Sequence, residues 1–327
     1  MKRFTLLIFS FWVAPLLIHL PPGAIRPMGT YGSHVAVEAG HSGQSQAAHA
    51  TDVVTLFVGA RDKEGHPVRD LTSAEIRLQE NGTNQGIDSF APDEETPVLI
   101  GVLIDMSASR RDEETVQLER AALREFLGTG LRKGDAAYLA VFSDEPFLLS
   151  DVTNDQGSLD RAFDKLAQIH PHGATALYDS ISALAVAIPP AWSGRRAFVI
   201  LSDFDDNLSK RPREQATKDA QMAGTSLYCL VDLIPSRARS DIDAVRMRQR
   251  VAQELSQKTG GTALTIRSAK DLETGFAALR SDLQNVYALS YRSTKGSHDG
   301  KFHKLHLETS RKDVNLLALQ AYYSPRE

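Results

Sequence analysis

Val98-Leu99-Ile100-Gly101-Val102-Leu103-Ile104-Asp105-Met106-Ser107-Ala108-Ser109 opens as a nearly uninterrupted apolar run and closes on a carboxylate and two hydroxyls. The run fits a central strand covered on both faces, with the oxygen-bearing residues where that strand leaves the sheet. In open α/β sheets, ligands bind at that end of the strands. If the chain turns after Asp105, positions 105, 107 and 109 converge on one point while Met106 and Ala108 face away. Carboxylate and hydroxyl oxygens suit a hard cation such as Mg²⁺, which takes about six oxygen ligands and keeps some of its waters. Taken alone, Asp-x-Ser-x-Ser is as well read as an ordinary turn, because Ser and Asp are common turn residues.

Downstream, Val116, Ala121, Leu123, Phe126, Leu127 and Leu131 recur at helical spacing and predict a crossover helix over 112–131. Strands over 136–142 and 146–152 are separated only by Ser143-Asp144-Glu145. So short a link forces antiparallel pairing and reverses one edge of an otherwise parallel sheet. Helices are expected over 158–167, opened by a Ser158 cap, and over 176–188. Ala197–Ser202 is a second buried strand that ends in a carboxylate, Asp203. A helix over 213–222, a strand around Cys229, a helix over 241–258, the Gly260-Gly261 stop, a short strand over 262–266 and a helix over 272–284 follow. This alternation argues for an α/β, doubly wound sheet over residues 96–285.

Both flanks read as strands. Residues 51–95 form a β-rich N-terminal module with strands over 53–58, 76–80 and 87–90, a Gly65-His66-Pro67 turn and a short helical turn over 70–75. Asn81-Gly82 marks a hairpin, with a loop to Ile87 longer than the tight two-residue kind. Residues 286–327 offer strands over 287–291, 304–308 and 316–322. The two β-rich ends are expected to join in one small module, which brings the termini together.

Residues 1–24 begin Met1-Lys2-Arg3 and continue with an apolar run, the pattern of an export signal peptide. Pro15 interrupts the run, so cleavage after Leu20 is the expectation, leaving no membrane span; a retained anchor is the alternative. Residues 25–50, rich in Gly, Ser, Ala, His and Gln, read as a flexible linker, and His34, His41 and His49 as its solvated residues. The protein is thus expected to be exported, to the periplasm, cell surface or medium. Cys229 is the only cysteine, so no internal disulfide forms, and it reads as a small buried hydrophobe. A net charge of −4 over 327 residues, with both signs interspersed, gives no basic stripe for nucleic acid.

Three strand-exit loops carry oxygen ligands: Asp105, Ser107 and Ser109; the stretch Gly173-Ala174-Thr175-Ala176-Leu177-Tyr178-Asp179; and Ser202-Asp203-Phe204-Asp205-Asp206. This set resembles the metal-ion-dependent adhesion site of von Willebrand factor A domains, over roughly Pro97 to Leu283, and the flanks look like those of exported bacterial VWFA-related proteins. The resemblance implies a mainly parallel six-stranded sheet with one antiparallel edge strand. It also implies Mg²⁺, with Mn²⁺ or Ca²⁺ as alternatives, held by Asp105, Ser107, Ser109, Thr175 and Asp203. One ion position would stay open for an Asp or Glu of a protein partner, as in an adhesion-type binding module.

Two positions depart from the family's pattern. Phe204 stands where Gly is common and is expected beside the ion, where it would alter partner access. Arg110 stands where an apolar residue is frequent, placing a charge near the ion. Asp205 and Asp206 read as solvated loop acids. A metal-independent structural component of an envelope assembly is the alternative function, and an extracytoplasmic hydrolase with His170 or His172 as base is a third. The chain has no Gly-x-Ser-x-Gly elbow, no His-Glu-x-x-His helix and no phosphate-binding Gly loop, so no enzymatic activity is expected.

Overall fold

A computed structural model describes residues 26–27, 53–110, 113–189, 192–234, 241–294 and 299–326. The expected signal peptide, most of the linker with its three histidines, and the Arg110 side chain lie outside them. The strands are β1 (Arg26–Pro27), β2 (Val53–Arg61), β3 (Ile76–Glu80), β4 (Thr83–Gln85), β5 (Ile87–Asp93), β6 (Val98–Asp105), β7 (Ala136–Phe142), β8 (Pro146–Leu148), β9 (Arg195–Ser202), β10 (Thr225–Asp232), β11 (Ala263–Ile266), β12 (Val286–Arg292), β13 (Lys301–Thr309), β14 (Asn315–Leu317) and β15 (Ala321–Ser324). The helices are α1 (Glu113–Gly130), α2 (Gln156–Leu166), α3 (Leu177–Ala187), α4 (Arg213–Met222), α5 (Ile242–Lys258) and α6 (Ala269–Gln284).

The central sheet runs β1-β8-β7-β6-β9-β10-β11. Strands β7, β6, β9, β10 and β11 are parallel, and β8 is antiparallel to β7. Every residue of β6 is buried, because helices cover both faces of a parallel sheet. One core layer sets Val102, Leu123, Phe126 and Phe276 against α1, α2 and α6; the other sets Leu103, Phe198, Leu177 and Leu255 against α3, α4 and α5. The reversed strand is not the outermost one, since Arg26–Pro27 pairs antiparallel along its free edge. That pairing also draws two residues of the expected linker into the sheet, where proline is tolerated because an edge position needs no N–H.

The flanking segments interleave. β12 lies between β2 and β5 in the sheet β14-β2-β12-β5, and β13 lies between β15 and β3 in the sheet β15-β13-β3-β4. Leu56, Val58, Leu78, Tyr287, Leu289, Tyr291 and Leu305 fill the space between these two sheets.

Four expectations change in detail. The Asn81-Gly82 hairpin is the tight kind: Glu80 opposes Thr83, and both turn residues have positive φ, 50° and 76°. That geometry is what Asn-Gly favours in a two-residue turn, and the supposed long loop contains β4. The cap of α2 is Asp155, whose carboxylate accepts the Ser158 N–H at 2.7 Å, so the helix starts before Ser158. β8 is only three residues long. The run 316–322 is two strands in different sheets, β14 beside β2 and β15 beside β13. Between them the Gln320 N–H donates to Lys258 O at the end of α5, which draws the chain out of the ladder.

Candidate metal centre

Asp105 ends β6 with 0 % of its surface exposed. A buried carboxylate is costly unless hydrogen-bonded. The Ser107 N–H donates to Oδ1 at 2.9 Å and the Ser202 hydroxyl to Oδ2 at 2.6 Å. Ser202 is the last residue of β9, the neighbouring parallel strand, so strand register alone brings this hydroxyl to Asp105. Ser107 is buried and Ser109 exposed, and their hydroxyl oxygens lie 3.0 Å apart.

Thr175, 2 % exposed, sits just ahead of α3 in a loop that hydrogen bonds fix from three sides. The Ala108 N–H donates to Gly173 O at 3.1 Å and the His172 N–H to Met106 O at 2.8 Å, joining this loop to the first. The Ala176 N–H donates to Ser143 O, and the Ala174 N–H donates to the Asp144 carboxylate at 2.6 Å, joining it to the β7–β8 turn. The Asn207 side-chain oxygen accepts the Thr175 N–H at 2.9 Å, while the Asn207 N–H donates back to Thr175 O at 3.1 Å, joining it to the third loop.

Asp203, 8 % exposed, follows β9, and its Oδ1 accepts the Asp205 N–H at 3.1 Å. The Ser202 hydroxyl, which donates to Asp105, also accepts the Phe204 N–H at 3.0 Å. One hydroxyl therefore links the first and third loops. Thus the structure brings the three loops to the carboxyl ends of β6 and β9. Ser107 meets Ser109 directly, Asp105 is joined to Asp203 through Ser202, and Thr175 to the third loop through Asn207.

Phe204 does not stand over the site. It is 2 % exposed and points into the core beside α3 and α4, at φ 60°. The left-handed backbone explains why glycine is common at this place, and the inward side chain leaves the face open. Asp205 and Asp206 are more than solvated acids. Asp205 pairs with Arg248 of α5. Asp206 accepts the Tyr178 N–H at 3.1 Å, near the start of α3, and the Ser209 hydroxyl at 2.5 Å. Nearby, burial pushes Asp179 upward, but the N–H groups of Lys210 and Arg211 and the Arg211 guanidinium outweigh it and hold the carboxyl below its usual value.

Ser202, Asn207 and Asp144 escape a reading based on the ligand pattern. Ser202 had a signal, since a serine closing an apolar strand is a buried polar group in need of a partner. Asn207 and Asp144 act through the folded loops and carry no local signal. For the hydrolase alternative, His172 Nδ1 lies 3.0 Å from His170 O, a carbonyl and not a nucleophile. Cys229 is buried, and burial pushes its thiol far above the ordinary value.

The donor set fits a divalent cation. Among the described residues no group of three or more His, Cys, Asp or Glu could hold a metal, so an ion here needs hydroxyl ligands as well as Asp105 and Asp203. Mg²⁺ binds oxygen at about 2.1 Å, which places neighbouring octahedral ligands about 3.0 Å apart. The Ser107 and Ser109 hydroxyls have that spacing.

Parallel strands, helices on both faces and a ligand face at the strand ends define an open α/β domain with a switch-point site. Residues 100–205 match the family model of the von Willebrand factor type A domain, and the chain carries a domain of that family. No curated protein matches the chain. Among solved structures, a von Willebrand factor type A protein from Catenulispora acidiphila is similar at 12% identity, covering 84% of this chain and 73% of that one, with a TM-score of 0.46. BatB from Bacteroides thetaiotaomicron is similar at 17% identity over 57% of this chain and 98% of its own, TM-score 0.46. Proximal thread matrix protein 1 from the mussel byssus, described with a zinc-occupied MIDAS motif, is similar at 14% identity over 62% of this chain and 50% of its own, TM-score 0.47. Among the described residues no helix is long and apolar enough to cross a membrane.

Proposed function

We propose that this protein is an exported, non-enzymatic binding module that captures a protein partner through a divalent cation. Asp105, Ser107, Ser109, Thr175 and Asp203 would hold the ion, Mg²⁺ by preference because hydroxyl-rich ligation with only two carboxylates suits it, with Mn²⁺ or Ca²⁺ as alternatives. The bound cation would supply a Lewis-acidic position for a carboxylate of the partner. The chain's own residues do the rest. Ser107 N–H and Ser202 orient the Asp105 carboxylate, Asn207 holds the Thr175 loop, and burial of Phe204 keeps the face clear. The observation that carries the reading is the pair of Ser107 and Ser109 hydroxyls, 3.0 Å apart, in the same loop as a fully buried carboxylate.

Calorimetric titration of Mg²⁺ and Mn²⁺ into residues 51–327, followed by a peptide bearing Asp or Glu, tests the reading. Saturable ion uptake that Asp105→Ala and Asp203→Ala each abolish, and peptide binding that EDTA reverses, are expected. Absence of uptake, even with the peptide present, would move the function to the flanking sheets and leave a metal-independent scaffold.

A further inference from the structure

At the opposite ends of the same strands, about 20 Å from Asp105 by strand rise, a cavity of about 230 Å³ opens where the A-type domain meets the flanking strand β2. Ser226 and Tyr228 of β10 line it. They pair in register with Ala197 and Val199 of β9, so alternation puts both side chains on the face of the sheet that α6 covers. Phe57, Leu283 and Val286 supply apolar walls beside them. Tyr228 is 6 % exposed and Ser226 is half-buried. Among the described residues neither hydroxyl makes a hydrogen bond. Burial pushes the Tyr228 phenol far above its ordinary value, so it keeps its proton and stays a donor.

The charges around these hydroxyls are matched. Arg61 pairs with Asp282 at 2.5 Å, and Arg195 lies 3.8 Å from Asp93. Arg132 and Asp135, the other charges beside Arg195, pair with each other. Arg196 leaves the sheet on the opposite face and gives its N–H groups to Ala223 O and Trp192 O. A ligand with a net charge would therefore be desolvated without a counter-charge, which is costly. Water fits poorly too, since each molecule needs two to four polar partners and the apolar walls supply none. A pure hydrocarbon would leave both hydroxyls unpaired. An uncharged molecule with an oxygen on an apolar body meets all of these conditions, and ligand cavities with apolar walls and a few polar groups are found at domain interfaces. An engineered cavity of about 150 Å³ holds benzene, so this one holds up to about nine non-hydrogen atoms.

We infer that this cavity binds a small neutral molecule bearing a carbonyl or hydroxyl oxygen, the oxygen accepting from Tyr228 and the hydrocarbon lying against Phe57, Leu283 and Val286. Ser226 offers a second hydroxyl to the same ligand. The site is independent of the metal centre.

Ligand-observed NMR on the full chain tests this with cyclohexanone as the neutral probe, beside cyclohexanecarboxylate and cyclohexylamine as charged probes on the same ring. Cyclohexanone is expected to bind saturably with a Kd of about 1 mM, in keeping with its size. Both charged probes are expected to bind at least about tenfold more weakly. Tyr228→Phe, which keeps the ring and the packing, should weaken cyclohexanone about fivefold. Ser226→Leu, which fills the cavity from a half-buried position, should abolish its binding in a chain that still unfolds cooperatively. A charged probe that binds as tightly as cyclohexanone, or an unchanged Kd in Tyr228→Phe, would overturn the inference. So would binding that survives Ser226→Leu, or the absence of saturable binding and of a rise in melting temperature at about 20 mM cyclohexanone.

Discussion

Phe204 adopts φ 60° one residue after Asp203, a conformation that costs a residue with a Cβ about 1–2 kcal/mol. Its buried ring offsets that cost from within the core beside α3 and α4. Phe204→Ala removes the ring and keeps the strain, for an expected loss of about 3–5 kcal/mol. Phe204→Gly removes both, and is expected to be about 1 kcal/mol more stable than the alanine variant, a reversal of the usual order. Urea denaturation of the two variants measures the difference, and a more stable alanine variant would remove strain from the account. At this scale the ligand pattern was legible because it is written as residue type and spacing. The orientation of Phe204 was not, because the sign of φ decides whether a side chain faces the ion or the core. Asn207 and Asp144 were hidden for a related reason, since their roles arise only when loops distant in the chain meet.

Gly101 interrupts the apolar run of β6 for want of space. A Cβ there would stand 2.5 Å from the Tyr138 ring on β7 and 3.0 Å from Phe198 on β9. Those two rings meet edge to face across the strand, 6.4 Å between centroids. Gly101→Ala is therefore expected to cost about 1–3 kcal/mol through overpacking. Tyr138→Leu in the same chain should return part of that loss, and a double-mutant cycle by urea denaturation measures the coupling. Strictly additive losses would mean that the tight approach is relieved elsewhere. The buried strands β6, β7, β9 and β10 were readable because burial on both faces leaves long apolar runs. β4 was missed because three exposed or half-paired residues carry no such run. The division of 316–322 was missed because Leu316, Leu317, Ala318 and Leu319 are apolar throughout, and apolarity does not tell which sheet a residue joins.

On the scale of the whole molecule, the flanking sheets and the A-type domain are joined by chain continuity and by charge. Only Asn285 separates α6 from β12, and β12 is held between β2 and β5. Arg61 of β2 donates to Asp282 of α6 at 2.5 Å, and the Thr262 hydroxyl donates to the other carboxylate oxygen at 3.0 Å. Burial pushes the Asp282 carboxyl above its ordinary value, and the Arg61 guanidinium opposes that rise without cancelling it. A carboxyl whose folded pKa lies above its unfolded value of about 3.9 loses stability as pH climbs from the lower value to the higher. Arg61→Met removes the opposing charge, so Asp282 shifts further upward and the window widens. The variant is expected to be about 3–5 kcal/mol less stable at pH 8, because a buried charge has lost its partner. Part of that loss should return at pH 5, where the carboxyl takes up a proton. Asp282→Asn in the Arg61→Met chain carries no charge to compensate, so it should flatten the dependence. Urea denaturation of the three chains at both pH values measures this. A loss in Arg61→Met that is equal at pH 5 and pH 8 would mean that Arg61 acts through its packing and its bond to Ala278 O, and that the ion pair does not join the two parts.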